Sequence, residues 1–169
     1  ERLLYTISND DSQETQDLMN RLQREGEYNI KAEMQDNLSD FYGGYANDAQ
    51  TQEVIKKVYD ETGYLMDTHT AVAYAVYENY QKDTLDQNTP TVIVSTASPY
   101  KFTSSVMDAL DSAKYKDENE FDLLLKMNEL IGGEIPQGIK GLDQRQINHD
   151  LICEIKEMPK AIREFLNLV

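Results

Sequence analysis

The chain has 169 residues, 40% of them hydrophobic, with 16 basic and 31 acidic side chains and a formal net charge of −15. That is long enough and apolar enough for one domain with a real core, and too apolar for disorder. A surface this acidic repels phosphate backbones, which argues against nucleic-acid binding, and no apolar run approaches the roughly 18 residues of a membrane helix.

Glu1 to Ile7 is short and apolar, and periodicity does not separate strand from helix over so few residues. Asp11 or Ser12 opens a helix running to about Glu25. Asp11 and Glu14 have capping-box spacing, Leu18 and Leu22 form the apolar stripe, and Gly26 is the stop. A short helix is expected around Lys31 to Leu38. Phe41-Tyr42-Gly43-Gly44-Tyr45 reads as a turn, although paired glycines also let backbone N–H groups approach a phosphate. Asn47 then caps a helix with Gln50 at the third helical position; Val54, Ile55, Val58 and Tyr59 are its inner face and Gly63 its end.

Asp67 caps the next helix, whose Ala71, Val72, Ala73, Ala75 and Val76 predict a helix buried nearly all round. Thr68, His69 and Thr70 sit at its start. Two readings stand: an anion site built on free N–H groups, or a cluster of caps with His69 satisfied by a neighbouring backbone group. After a polar loop over residues 81–90, Thr91-Val92-Ile93-Val94 reads as a short buried strand entered through Pro90. It runs into Ser95, Thr96, Ala97, Ser98 and Pro99. Hydroxyls at the carboxyl end of a strand are where α/β proteins place ligand-binding groups, and they are also ordinary cap and turn residues.

Thr103 or Ser104 then caps a helix with Val106, Met107 and Leu110 on one face. Asp117, with Glu120, opens another, with Phe121, Leu124, Leu125 and Leu130 as its stripe and Gly132-Gly133 as its end. Residues 135–146 form a surface connection in which Lys140 and Arg145 are solvated. Ile147 to Ile155 reads as a second strand, and Met158-Pro159 begins a last helix with Ile162, Phe165 and Leu166 as its core face. The single cysteine, Cys153, excludes an internal disulfide, suggests a reducing, cytoplasmic setting, and reads as a core residue. The chain begins at Glu1 rather than Met, so its true N-terminus is expected upstream and the lack of a targeting peptide says little. With two histidines, His69 and His149, no hydrolytic triad assembles, and no Cys/His spacing suits zinc.

Two stretches carry a family resemblance. Ser95-Thr96-Ala97-Ser98-Pro99-Tyr100-Lys101-Phe102 resembles the C-terminal motif of the threonine synthases, and Gly63-Tyr64-Leu65-Met66-Asp67-Thr68-His69-Thr70-Ala71 resembles their Gly-Tyr…Asp-Pro-His motif, with Thr68 where proline is usual. The resemblance implies an α/β fold: a helix-rich C-terminal fragment of a pyridoxal-phosphate-dependent enzyme of the tryptophan-synthase β-like fold, with few short strands. Residues 1–169 would be one fragment of a larger enzyme. Residues 1–90 would form a mainly helical segment and 91–169 a strand-helix segment with the cofactor-edge motif.

By the same resemblance Thr96, flanked by Ser95, would meet the pyridine nitrogen of pyridoxal 5′-phosphate. A hydroxyl can donate to a neutral ring nitrogen, where a carboxylate would keep it protonated. His69 and Lys101 would contact substrate, with a structural ion pair the alternative for Lys101. The whole enzyme would convert O-phospho-L-homoserine and water into L-threonine and phosphate. The Schiff-base lysine and the phosphate-binding loop are expected in the missing N-terminal part, so the fragment alone would be inactive. Two alternatives are a stand-alone acidic helical module that binds a partner protein, and a related pyridoxal-phosphate lyase of the same fold.

Overall fold

Polar side chains set where four of the five longer helices begin. In the computed structural model, which describes residues 1–148 and 150–168, α1 spans Arg2–Ile7, α2 Ser12–Glu25 and α3 Ala32–Asp36. The next four are α4 over Asp48–Thr62, α5 over Thr68–Thr84, α6 over Thr103–Tyr115 and α7 over Glu120–Ile131; α8 spans Met158–Phe165. His149 lies outside the described residues.

Asp11 accepts from the Glu14 N–H at 3.0 Å, and Asn47 and Gln50 form a reciprocal capping box with both bonds at 2.9 Å. Each such side chain satisfies amides that the first helical turn leaves without partners. The start of α7 differs from expectation. Asn119, not Asp117, is the cap, because its carbonyl oxygen reaches the N–H groups of both Phe121 and Asp122 at 3.0 Å. The start of α6 has no side-chain cap. Thr103 is its first helical residue, and its buried hydroxyl donates back to the Tyr100 carbonyl at 3.1 Å. Asp111 breaks the regular backbone of α6 and then accepts from the Lys114 N–H at 3.1 Å, restarting the last turn.

The main core lies between α4, α5, α6 and α7. Ile55, Val106, Met107 and Met127 are its most enclosed side chains, joined by Val54, Val58, Ala71, Ala75 and Leu123. Polar bonds from α4 seal its rim: Gln52 Nε2 donates to Asp108 at 3.0 Å and Lys56 Nζ to the Leu110 carbonyl at 3.2 Å. A smaller cluster of Ile7, Leu18 and Met34 joins α1, α2 and α3. Gly44 packs so closely on α5 that a Cβ there would stand 2.8 Å from a Val76 methyl. The glycine is used for that close approach to the helix.

Several expectations are corrected. Residues 91–96 carry no strand: the segment is irregular, with Val92 86% exposed, because no neighbouring strand among the described residues supplies ladder partners. Residues 147–155, His149 aside, form no strand either, and end in a 3-10 turn over Ile155–Glu157. Cys153 is exposed rather than core. The face of α8 expected to be buried is open, with Ile162, Phe165 and Leu166 all exposed. Nor is α5 buried all round. Ala73, Val76, Tyr77 and Tyr80 line an open hollow of about 430 Å³ facing Thr91, Val92, Ile93 and Val94. Apolar periodicity marks a face that seeks cover without saying whether this chain supplies it.

Truncating Ile55→Ala empties the centre of the four-helix core and should cost about 3 kcal/mol of unfolding free energy, read by urea denaturation. Asn47→Ala removes one cap on the same helix and should cost about 1 kcal/mol in the same experiment.

Candidate functional site

The site is built around a carboxylate with no exposure. Asp67 precedes α5 and is 0% exposed. Its Oδ1 accepts from the N–H groups of His69 at 2.9 Å and Thr70 at 3.2 Å, and its Oδ2 makes a short bond with the Thr70 hydroxyl. Burial by itself raises this carboxyl's pKa. The Thr70 hydroxyl and the two amides outweigh it and hold the group below its ordinary value of 3.8. The helix start therefore carries its own anion, and the amides of His69 and Thr70 are already engaged. This answers the anion-site reading of these amides: the donors are filled by the chain's own carboxylate.

The His69 ring points outward and is 61% exposed. It leans on Phe102 with the ring centroids 4.9 Å apart, and its Nδ1 lies 3.5 Å from Asp67 Oδ1 and 3.4 Å from Thr68 Oγ1. A proline at position 68 would have no hydroxyl to place there. An open hollow of about 380 Å³ lies beside this ring, bordered by Asp48, Gln52, Thr68, Val72 and Ser105.

Thr70 also joins α5 to the motif that follows residue 94. Its Oγ1 lies 3.3 Å from Ser95 Oγ, and Ser95 Oγ lies 3.4 Å from the Ala97 carbonyl. Ser95 and Thr96 are both exposed, and Thr96 makes no side-chain hydrogen bond among the described residues. Beyond them the chain makes a 3-10 turn over Pro99–Lys101, with Ser98 Oγ accepting from the Tyr100 N–H at 3.4 Å. Tyr100 then donates its hydroxyl to Asn128 Oδ1 on α7 at 2.6 Å. Upstream, Asp86 shapes the entry by accepting from the N–H groups of Asn88 and Thr89, each at 3.1 Å. Hydrogen bonds from Thr89 and Asn88 hold its carboxyl down to about 2.

The two motifs singled out in the sequence are therefore brought together, through Thr70–Ser95 and His69–Phe102. Lys101 is exposed at the end of the 3-10 turn and makes no ion pair among the described residues, so its structural ion-pair alternative is not formed there. Sequence reasoning read Thr70 only as part of a helix start and missed its reach to Ser95. A Ser or Thr three residues after an Asp cap is the local signal, but nothing local marks the partner 25 positions away. No group of three or more His, Cys, Asp or Glu residues suited to a metal occurs among the described residues.

Helices packed around one displayed turn define a class within which similarity to known proteins is decisive. The family model described as "Threonine synthase, C-terminal" matches residues 70–162, so the match contains Thr70, Ser95, Thr96 and Lys101, while Asp67 and His69 lie just outside it. The chain belongs to the threonine synthase family.

Threonine synthase-like 1 of Homo sapiens is 34% identical over 121 residues, covering 71% of this chain and 15% of that protein. Threonine synthase of Schizosaccharomyces pombe is 34% identical over 116 residues, covering 63% of this chain and 22% of that protein. The chain thus spans about a fifth or less of the length of these relatives. The crystal structure of PLP-bound threonine synthase from Brucella melitensis superposes with a TM-score of 0.65 and 22% identity, over 96% of this chain and 31% of that one. The fold is therefore that of a part of this enzyme.

Because the Asp67 carboxyl is held below its ordinary value in the fold, it stabilises the protein fully above about pH 4, and that contribution disappears as pH falls through the folded value. Thermal melts between pH 6 and pH 2.5 should show a steeper acid loss in the wild type than in Asp67→Asn. Asp67→Ala, which strips the partners from two amides and a hydroxyl, should cost about 2 kcal/mol at neutral pH.

Proposed function

We propose that this chain is the C-terminal portion of a pyridoxal-phosphate-dependent threonine synthase, and that it supplies one edge of the cofactor site through Thr96. The carrying observation is that the family match spans a turn in which an exposed threonine hydroxyl, without a side-chain partner among the described residues, is held beside a bonded serine. The donor set fits the group. A threonine hydroxyl donates to a neutral pyridine nitrogen, and no carboxylate competes for that role on the turn from Ser95 to Lys101. When bound, the cofactor supplies the electron sink for loss of protons from carbon and departure of a leaving group.

The chain's own residues orient and bind. Thr96 holds the ring edge and Ser95 flanks it. Lys101 and His69, both exposed, bind the substrate's phosphate and polar groups in this reading. The overall reaction of the complete enzyme is O-phospho-L-homoserine and water to L-threonine and phosphate, a carbon–oxygen lyase step in a cytoplasmic biosynthetic enzyme. The Schiff-base lysine and the phosphate-binding loop belong, in this reading, to the part of the family's length that this chain does not span. Residues 1–90 then form the mainly helical segment and 91–169 the segment with the cofactor edge. Exposed Ile152, Ile155 and Phe165 suit a surface that rests on further protein. By itself the chain is expected to release no phosphate from O-phosphohomoserine.

One observation favours a second reading. Relatives at 34% identity include both a threonine synthase and a threonine synthase-like protein, which fits a sibling lyase acting on another phospho- or hydroxy-amino acid. Product analysis separates the two: threonine with stoichiometric phosphate supports the first, and its absence with turnover of another such amino acid supports the second.

In the complete polypeptide, Thr96→Val keeps shape and removes the hydroxyl. Cofactor retention on dialysis should fall about tenfold, the worth of one such hydrogen bond, and phosphate release should drop with it. Unchanged retention, absorption spectrum and turnover would remove Thr96 from the site.

A further inference from the structure

Between α5 and the turn at Ser95 the hydroxyls have fewer protons than contacts, and the count sets their direction. The Asp67 carboxylate, ionised and fully buried, only accepts. Thr70 has one hydroxyl proton, and the short charge-assisted bond to Asp67 Oδ2 takes it. Toward Ser95 Oγ, 3.3 Å away, Thr70 Oγ1 is then left as an acceptor. The single hydroxyl proton of Ser95 has two acceptors within the protein, Thr70 Oγ1 and the Ala97 carbonyl at 3.4 Å. What Ser95 turns outward is lone pairs. Thr96, next in the chain and engaged with no side-chain partner among the described residues, keeps its proton for an outside acceptor. The far end of the turn is held separately, by Tyr100 on Asn128.

We infer that Asp67, acting through Thr70, is a positioning residue for the cofactor edge: it draws the Ser95 proton inward, pins the turn that displays Thr96, and divides the pair into an acceptor at Ser95 and a donor at Thr96. This rests on the cofactor-edge reading given above and adds to it. Asp67 and Thr70 touch no ligand in this scheme. Ser95, read from the sequence only as flanking the ring, becomes a hydroxyl that receives a ligand N–H or O–H in preference to donating to a ring nitrogen.

Two measurements separate this inference from the reading beneath it. Backbone 15N order parameters across residues 95–97 report the pinning and need no cofactor. They should fall from the rigid range of about 0.85 to below about 0.6 in Thr70→Val, and return to wild-type values in Thr70→Ser, which restores the hydroxyl. The visible absorption band and dialysis retention of pyridoxal phosphate in the complete polypeptide report the consequence. Thr70→Val should weaken retention toward the level of Thr96→Val, and Thr70→Ser should restore it. Unchanged order parameters in Thr70→Val, or equal loss in the valine and serine variants, overturn the inference whatever the cofactor does. Lowered order parameters with retention unchanged in both Thr70→Val and Thr96→Val show the pinning by Thr70, but remove the cofactor-edge reading and the positioning role together.

Discussion

A buried, ionised carboxylate tolerates almost no rearrangement around it. Asp67 has no contact with solvent, so the cost of removing its charge from water has to be met by hydrogen bonds, and three arrive from within three residues along the chain. Those bonds fix the first turn of α5. Through α5 they place Ala71 and Ala75 against Val54, Ile55 and Met107 in the main core. Through Thr70 they also reach Ser95, so the same charge governs a helix start, a packing face and the approach of the motif.

The motif is held from both sides by different elements. Its entry is tied to α5 at Ser95, and its exit to α7, where Tyr100 meets Asn128 and the Thr103 hydroxyl returns to the Tyr100 carbonyl. Between these anchors Thr96 and Lys101 stay exposed. This is how a protein presents polar groups to something outside while keeping their backbone in one place. Residues 91–94 before the turn contrast with it. They keep exposed valines and make no backbone–backbone hydrogen bond among the described residues, and with α5 they border the hollow of about 430 Å³.

The tail follows a different physical regime. Residues 147–168, His149 aside, contain Leu151, Ile152, Ile155, Met158, Ile162 and Phe165, all exposed, and α8 leaves its apolar side open. Its ends are regular for local reasons, since Pro159 sits in the first turn and Lys160 and Glu164 are paired at i, i+4. Local chemistry sufficed to form the helix and did not bury it. In the main core, by contrast, local helix signals and tertiary cover agree.

Helix positions were legible because caps and stops act over three or four residues: Asp11, Asn47 and Asp67 at starts, Gly26, Gly63 and Gly132 at ends with positive φ. The Thr96 turn was legible as a motif, and with it the family. The misreadings share one cause. The 91–94 strand, the buried Cys153 and the covered face of α8 each required a partner far away in the chain, and apolar composition cannot specify whether that partner is present. The sequence alone determined the helices, their caps and the family motifs, because these are set by neighbouring residues. Only the tertiary structure decided that Asp67 is fully buried, that Thr70 reaches Ser95 across 25 positions and that Thr96 is left facing outward, because those facts depend on how α5 packs rather than on what surrounds each residue in the chain.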